Sequence, residues 1–358
     1  LWVADMDFAT APFVTDAIRK RCENEVLGYT GKPDSYYNAI INWVKQRYDL
    51  VVAKEMINFV PGIVPGIGMA MNCFTQKGDK VMIQPPVYHP FAWVTTRNER
   101  TLVTNPLKWE NGMYRMDLDT FREQIKGCKL FILCNPHNPG GVVWTEAELR
   151  AIADICYDEK VLVFSDEIHA DLTLPPHTHR PFATVSEKAR MNSVTFMSPS
   201  KAFNMPGLSA SHALIFNEDL RKRFRIYMDA GELDMGHVFA FLSVEAAYSH
   251  GTEWLDQCLA YIQGNIDFVD DFLKNHAPKI KAIRPEASYL VWLDCRELKL
   301  SQKDLNEFFV DKAHLALNDG EMFGKEGIGF MRLNVASPRC IIEKAMKQLA
   351  DAYQLYIK

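Results

Sequence analysis

Residues 193–207 read SVTFMSPSKAFNMPG, a stretch that combines an apolar strand with a lysine just beyond its end. Residues 194–197 are β-branched, aromatic or otherwise apolar, which is typical of a strand buried in a parallel sheet. Two breaks follow, Ser198-Pro199-Ser200 and Pro206-Gly207, with Lys201 between them. Burial there would lower the pKa of the lysine and make its amine nucleophilic toward a carbonyl. The stretch therefore predicts a lysine that forms a Schiff base, although a lysine that only caps a turn fits it too.

Two further predicted strands also end in polar residues. Residues 130–134 lead to Asn138, and residues 161–164 lead to Asp166. In a parallel sheet, ligands gather at the carboxyl ends of the strands. The sequence thus predicts that an amide, a carboxylate and the amine of Lys201 converge on one edge. Asp166 would there hold a protonated ring nitrogen of a cofactor, with a helix cap or a structural ion pair as the alternative.

Strands and helices alternate through the middle of the chain, which indicates an α/β fold with a largely parallel sheet. The clearest helix is 146–159, where Thr145 and Glu148 match a capping box. Residues 239–275 look helical, with a break near 250–252. We expect a large domain over 29–256 and a smaller α+β domain formed by 1–28 and 257–358. The predicted strands are 80–83, 130–134, 161–164, 194–197, 213–216, 289–293 and 330–335; the other predicted helices are 11–22, 34–47, 302–312 and 341–355.

Composition limits the classes of partner. The chain has 358 residues, 48% hydrophobic and 24% charged, with a net charge of −5. This balance disfavours nucleic acid or an anionic membrane as the main partner, and no apolar run approaches the ~20 residues of a membrane span. The first residues, with two aspartates and no basic segment, do not resemble a signal peptide. Because the chain lacks an initiator Met, we expect further sequence before Leu1.

The cysteines and histidines predict neither disulfides nor a metal site. Eight cysteines are scattered without a CxxC pair, which is typical of reduced thiols in a cytoplasmic protein. His177 and His179 are the closest histidine pair and lie in a Pro-rich stretch. We expect them on a surface loop rather than at a metal.

The start of a predicted helix is a candidate phosphate site. The backbone N–H groups of Ile63 and Val64, after Gly62, could bind a phosphate at the positive end of the helix dipole. Ser198 and Ser200 could add hydroxyl groups. A plain junction between a turn and a helix is the alternative.

Four other side chains could complete a cofactor and substrate site. Tyr88 could stack on a planar ring, and Asn138 and His169 could exchange a hydrogen bond with a ring hydroxyl. Arg332 could bind a carboxylate through two parallel hydrogen bonds. The alternatives are a packing tyrosine, a satisfied core histidine and an arginine in a surface salt bridge.

Several motifs together resemble those of the fold-type I pyridoxal-phosphate (PLP) enzymes of the class I/II aminotransferase superfamily. Within it, the chain resembles the bacterial cystathionine β-lyase and C–S lyase branch, from one end to the other. The superfamily motifs are CNPHNPGG (134–141), SDEIHADL (165–172), SPSKAFNMPG (198–207) and MRLNVASPR (331–339); those of the branch are WVADMDF (2–8), GYT (28–30), VPGIVPGI (60–67), HRPF (179–182) and EAAYSHGTEWL (245–255).

The resemblance implies an aspartate aminotransferase-like fold, with a mostly parallel central sheet of seven strands and a smaller α+β domain. It implies that Lys201 carries PLP, that Asp166 pairs with the pyridine nitrogen and that Tyr88 stacks on the ring. It further implies that Tyr29 reaches the phosphate of a neighbouring subunit in a homodimer. The remaining implied roles are the ring hydroxyl for Asn138 and His169, the phosphate for Ile63, Val64, Ser198 and Ser200, and the substrate carboxylate for Ala4, Asn138 and Arg332.

The activity implied is α,β-elimination of a sulfur amino acid to pyruvate, ammonia and a thiol. An aminotransferase is the close alternative, since it shares the removal of the Cα proton. A regulatory protein that uses this fold to bind a partner is the alternative from another class. One departure concerns Ser209, because many aminotransferases have a phosphate-binding arginine at that position.

Overall fold

The computed structural model describes residues 1–356, in which helices and strands alternate as the sequence predicts. The α-helices are α1 (Pro12–Cys22), α2 (Asp34–Tyr48), α3 (Ile63–Phe74), α4 (Pro90–Arg97), α5 (Leu118–Gln124), α6 (Glu146–Asp158), α7 (Glu187–Met191), α8 (Glu218–Ala230), α9 (Val238–His250), α10 (Thr252–His276), α11 (Gln302–Glu307) and α12 (Arg339–Tyr356). The strands are β1 (Ile57–Val60), β2 (Lys80–Ile83), β3 (Thr101–Thr104), β4 (Lys108–Glu110), β5 (Met113–Arg115), β6 (Cys128–Cys134), β7 (Leu162–Asp166), β8 (Ser193–Met197), β9 (Ser211–Leu214), β10 (Lys281–Ile283), β11 (Leu290–Asp294), β12 (Asn318–Asp319) and β13 (Phe330–Asn334).

A seven-stranded sheet forms the centre of the molecule. Its strand order is β1-β9-β8-β7-β6-β2-β3, and β9 alone runs against the others. All five residues of β8 are buried, because helices cover both faces of a parallel sheet. The α/β fold with a mostly parallel central sheet of seven strands, expected from the sequence, is thus confirmed.

A second, antiparallel sheet lies later in the chain. Its strand order is β10-β11-β13-β12, and β11 pairs with β13 over five residues. The longest helix, α10, packs against both α12 and β10. This sheet carries Arg332, opposite Trp292 and Asn318 on its two neighbouring strands.

Most of the helices and strands that the sequence predicted begin and end within two residues of the observed ones. The helix predicted over 302–312 is α-helical only over Gln302–Glu307 and continues as a π-helix, Phe308–Lys312. The capping box of α6 is present, with Thr145 Oγ1 accepting from Glu148 N and Glu148 Oε2 accepting from Thr145 N. Helices α9 and α10 meet at Gly251, where the pattern predicted a break. The strand expected over 213–216 begins and ends two residues earlier, at Ser211–Leu214.

One glycine explains how closely α3 approaches the sheet. A Cβ at Gly66 would lie 2.9 Å from Val60 Cγ2 and 3.2 Å from a ring carbon of Phe196. Such distances are too short for carbon atoms, so a larger residue would push α3 away from β1 and β8. The start of α3 is therefore held beside the ends of these strands.

The expectation for the histidine pair is partly wrong. His177 is exposed, but His179 is buried and its Nε2 lies 2.8 Å from a carboxylate oxygen of Glu167. All eight cysteines are free thiols. Across residues 1–356, no cluster of three or more His, Cys, Asp or Glu side chains is arranged to hold a metal ion, and no helix is both long and apolar enough to traverse a bilayer.

Candidate active site

A single cavity lies where β6, β7 and β8 end, beside the first turn of α3. It brings together the amide, the carboxylate and the amine that the sequence placed at one edge: Asn138, Asp166 and Lys201. The other residues lining it are Ala4, Gly62, Ile63, Val64, Pro65, Tyr88, Cys134, Ile168, His169, Ser200, Pro206, Ser209, Ala210 and Ser211.

Three predicted site residues do not line this cavity. Ser198 is buried beneath it, where its Oγ donates to Ala210 O at 2.7 Å and lies 2.9 Å from Ser200 Oγ. Arg332 is buried behind Asn138. Tyr29 is 99% exposed in the single chain.

Lys201 is largely withdrawn from water, and its Nζ donates to the carbonyl oxygen of Ala4. The same carbonyl accepts from Tyr289 Oη at 3.0 Å. Burial lowers the pKa of Lys201, an effect that Arg332 adds to and that Asp5 and Asp166 oppose. The amine is thus closer to its neutral, nucleophilic form than an exposed lysine.

Asp166 is the last residue of β7 and is 3% exposed. Its Oδ1 accepts from Ile168 N at 3.1 Å. The pKa of Asp166 is raised to about 7, chiefly by burial and also by Glu167, against the lowering effects of the Ile168 N–H and of Lys201. A cationic partner in the cavity would favour the carboxylate form, because opposite charges attract strongly in a desolvated site.

The same cavity offers donors for an anion. Helix α3 starts at Ile63 after Gly62, whose φ of 115° suits glycine. The first N–H groups of a helix have no acceptor within it, and those of α3 border the cavity. Hydroxyl groups from Ser200, Ser209 and Ser211 lie at the same cavity.

Arg332 is a buried cation rather than part of a surface salt bridge. It is 3% exposed, and its guanidinium donates to Asn138 Oδ1 at 3.0 Å and to Asn318 Oδ1 at 2.6 Å. Phe323 lies against it, 4.8 Å from ring centroid to guanidinium. Burial lowers the pKa of Arg332 to about 10, so the group remains charged at neutral pH. Its Nε has no partner within the described chain.

Tyr88 and His169 flank the cavity. Burial raises the pKa of Tyr88 and lowers that of His169 to about 3, with Lys201 and Arg332 adding to the second effect. His169 is therefore neutral at physiological pH. Its Nδ1 is buried and finds no hydrogen-bond partner in residues 1–356, which leaves one polar atom for a ligand.

Sequence reasoning missed two residues that support this site. Tyr289 anchors the Ala4 carbonyl, and Asn318 holds Arg332. Tyr289 opens the apolar strand predicted over 289–293, a pattern that does not distinguish it from a core residue, while the two-residue strand of Asn318 carries no periodic signal. Only the three-dimensional pairing identifies them.

Comparison with known proteins extends over nearly the whole chain. Residues 2–349 match the family described as aminotransferase class I and II. The chain is 38% identical to cystathionine beta-lyase PatB of Bacillus subtilis (strain 168) over 354 residues, 98% of this chain and 92% of that protein.

Two solved structures are similar in the same way. Cystalysin from Treponema denticola, which contains a pyridoxal 5'-phosphate cofactor, superposes with a TM-score of 0.96 at 35% identity, over 99% of this chain and 90% of that one. The PLP-bound C-S lyase from Staphylococcus hominis gives 0.92 at 35% identity, over 98% and 90%. The chain belongs to the class I and II aminotransferase family.

Proposed function

We propose that this protein is a PLP-dependent C–S β-lyase, which converts a sulfur amino acid to pyruvate, ammonia and a thiol. The observation that carries the proposal is one cavity that holds a desolvated lysine, Lys201, and a buried carboxylate, Asp166. Full-length similarity to proteins named cystathionine beta-lyase and C-S lyase supports the same reaction.

The groups that line the cavity suit PLP. Asp166 can accept from a protonated ring nitrogen, and the unpartnered Nδ1 of His169 can serve a ring hydroxyl. The first N–H groups of α3 and the nearby serine hydroxyls can bind a phosphate. With Ser209 in place of an arginine, phosphate binding would rest on these groups and on Tyr29 of a second subunit.

When bound, PLP supplies an aldehyde that joins the substrate amine and a ring that withdraws electrons from the substrate Cα. Lys201 first holds the cofactor and, once displaced, accepts the Cα proton at its Nζ. The lowered pKa of Lys201 suits that transfer near neutral pH. Asp166 would accept a hydrogen bond from the ring nitrogen and so favour its protonated form.

Arg332 and Asn138 would orient the substrate. The guanidinium donates to Asn138 Oδ1, so the two side chains lie side by side where they would bind the α-carboxylate. Tyr88 would cover one face of the cofactor ring. Elimination then breaks the Cβ–S bond, and the sulfur leaves as a thiolate. The remaining three-carbon amine is hydrolysed by one water, so that its carbons become pyruvate and its nitrogen becomes ammonia.

The test that separates a lyase from an aminotransferase is turnover of cystathionine with no keto acid present. A lyase should release pyruvate and thiol continuously, in equal amounts. An aminotransferase should stop after about one turnover and resume only when a keto acid is added. The second result would reject the lyase and retain the family.

The wider organisation is part of the same proposal. We infer a homodimer in which Tyr29 reaches the neighbouring site. Two exposed apolar side chains, Val26 and Leu27, lie just before it in the sequence and would be buried by a second subunit. A cytoplasmic location fits the free thiols. The division into 29–256 and 1–28 with 257–358 fits the sheets, because the seven-stranded sheet and the small β4-β5 sheet fall within the first range and β10 to β13 within the second.

A further inference from the structure

Behind the active-site cavity lies a buried acid–base pair that the proposed reaction does not use. Glu167 and His179 have side chains 0% and 1% exposed, and Glu167 Oε2 lies 2.8 Å from His179 Nε2. Neither residue lines the cavity. Burying a carboxylate and a histidine together costs solvation free energy. Other contacts of the pair, close to Asp166, must offset that cost.

Glu167 fastens two segments together at the end of β7. Its Oε1 accepts from Ser165 Oγ and from Phe182 N, both at 2.8 Å, while Oε2 faces His179. Through these contacts the segment 179–182 is held against the strand that carries Asp166. Asn135 strengthens the junction, because its Nδ2 donates to Arg180 O at 3.2 Å and its N donates to Asp166 O at 2.9 Å.

The pair also contributes charge. The carboxylate of Glu167 favours the protonated form of its neighbour Asp166, and His179 is the basic group that faces Glu167. On its other side, His179 meets the ring of Tyr48, 5.5 Å away and edge-on, and the Tyr48 hydroxyl donates to Asp171. The ionisable groups that act on Asp166 are Glu167, Lys201, Cys134 and Tyr88. Those near His179 are Glu167, Asp171 and Tyr48. Arg47 in turn acts on Asp171.

We propose that Glu167 and His179 are positioning residues that control how firmly Asp166 holds the cofactor as the pH falls. Glu167 fixes the end of β7 and adds negative charge beside Asp166, and His179 offsets part of that charge. The proposal concerns retention of PLP and goes beyond the lyase reaction, since it holds for any reaction at this site.

Opposite substitutions should act in opposite directions. Glu167→Gln removes the negative charge beside Asp166, so the carboxyl group of Asp166 stays ionised to lower pH. His179→Gln keeps a donor toward Glu167 but removes the basic group, so Asp166 becomes protonated at higher pH. A pair that only packed the segment would weaken the site in the same direction after either change.

The experiment follows release of PLP from the holoenzyme between pH 5 and pH 9, by absorbance of the protein fraction after gel filtration. Relative to wild type, the midpoint of release should fall for Glu167→Gln and rise for His179→Gln, each by at least about half a pH unit. His177→Gln is the matched control, because it changes an exposed histidine two residues away, and should leave the midpoint unchanged.

Midpoints that move in the same direction, or that do not move, would overturn the proposal. If His179→Gln fails to fold, Glu167→Gln alone decides: a midpoint below wild type supports the proposal, and one equal to or above wild type rejects it. Because PLP release requires no substrate, the outcome is independent of whether the enzyme is a lyase or an aminotransferase.

Discussion

At the scale of single residues, burial brings the pKa values of the two central ionisable groups, Asp166 and Lys201, closer together. It raises the pKa of Asp166 to about 7 and lowers that of Lys201. Removal from water disfavours the charged form of both an acid and a base. Each side chain is therefore neutral in a larger fraction of molecules than it would be at the surface. Such opposed shifts in one cleft are typical of catalytic sites.

Lys201→Ala tests the central assignment. We expect turnover to fall by at least ~10²–10⁴-fold, because the residue that moves the Cα proton is lost. Borohydride reduction should attach PLP to position 201 in wild type and not in the variant. Lys281→Ala, which changes an exposed lysine paired with Glu297, serves as the control. Turnover close to wild type in Lys201→Ala would remove the basis of the proposed function.

Asp166→Asn should stabilise the protein when no cofactor is bound. A carboxyl whose pKa rises from 3.8 to about 7 on folding destabilises the fold above pH 7, where it is ionised, and the cost disappears as the pH falls toward 4. At pH 8 the variant should therefore gain on the order of 1–4 kcal/mol in free energy of unfolding. Urea unfolding of both cofactor-free proteins at pH 8 and pH 4 measures the gain; a gain as large at pH 4 would contradict the charge argument.

At the scale of elements, the first residues of the chain are held over the site by two asparagines. Asn334 Nδ2 donates to Val3 O and Asp5 O, both at 2.6 Å. Asn204 accepts from Met6 N and donates to the carbonyls that follow. These bonds place the Ala4 carbonyl at Lys201, so an irregular segment acquires a defined position in the cavity.

Asn334→Ala should loosen this segment while leaving the sheet intact. The variant loses the two hydrogen bonds that hold the segment and a third that Asn334 Oδ1 accepts from Ala336 N. At about 1 kcal/mol for each bond to the segment, kcat/KM should fall by roughly 5- to 30-fold. We expect most of this change to appear as a higher KM, because the Ala4 backbone lies beside the Lys201 amine, where the substrate would bind. Steady-state kinetics measure it, with Asn275→Ala, on the exposed face of α10, as control. If kcat falls and KM does not, the segment does not position substrate.

The elements that sequence could predict are those with strong local signals. Strand β8 is a run of buried apolar residues, and α6 carries its own capping box. By contrast, β3 is a half-exposed edge strand of four residues, and β12 has only two. Asp166 ends such a strong strand and Lys201 follows another. The burial of Arg332 and the hydrogen bonds of Asn334 to residues more than 300 positions away arise instead from tertiary packing. Periodicity along the chain cannot report those contacts.

At the scale of the whole molecule, Tyr29 is the residue through which the proposed dimer would complete each site. Tyr29 is 99% exposed, although tyrosine normally buries much of its ring area. Exposed apolar residues near it in sequence, Val26 and Leu27, would gain from burial against another subunit. In a symmetric dimer, each subunit would contribute this residue to the site of the other, so both sites would be completed in the same way.

Subunit mixing tests this arrangement. Lys201→Ala and Tyr29→Ala dimers should each have impaired sites. Their heterodimer, isolated with a different affinity tag on each subunit, would contain one site with both Lys201 and Tyr29 and one with neither. Its activity should reach about half that of wild type, because one of two equivalent sites is intact. A heterodimer of Lys201→Ala with the double variant Lys201→Ala/Tyr29→Ala has no intact lysine and should remain inactive. If the first heterodimer shows only the average activity of its two parents, Tyr29 acts within its own chain or has no role in the site.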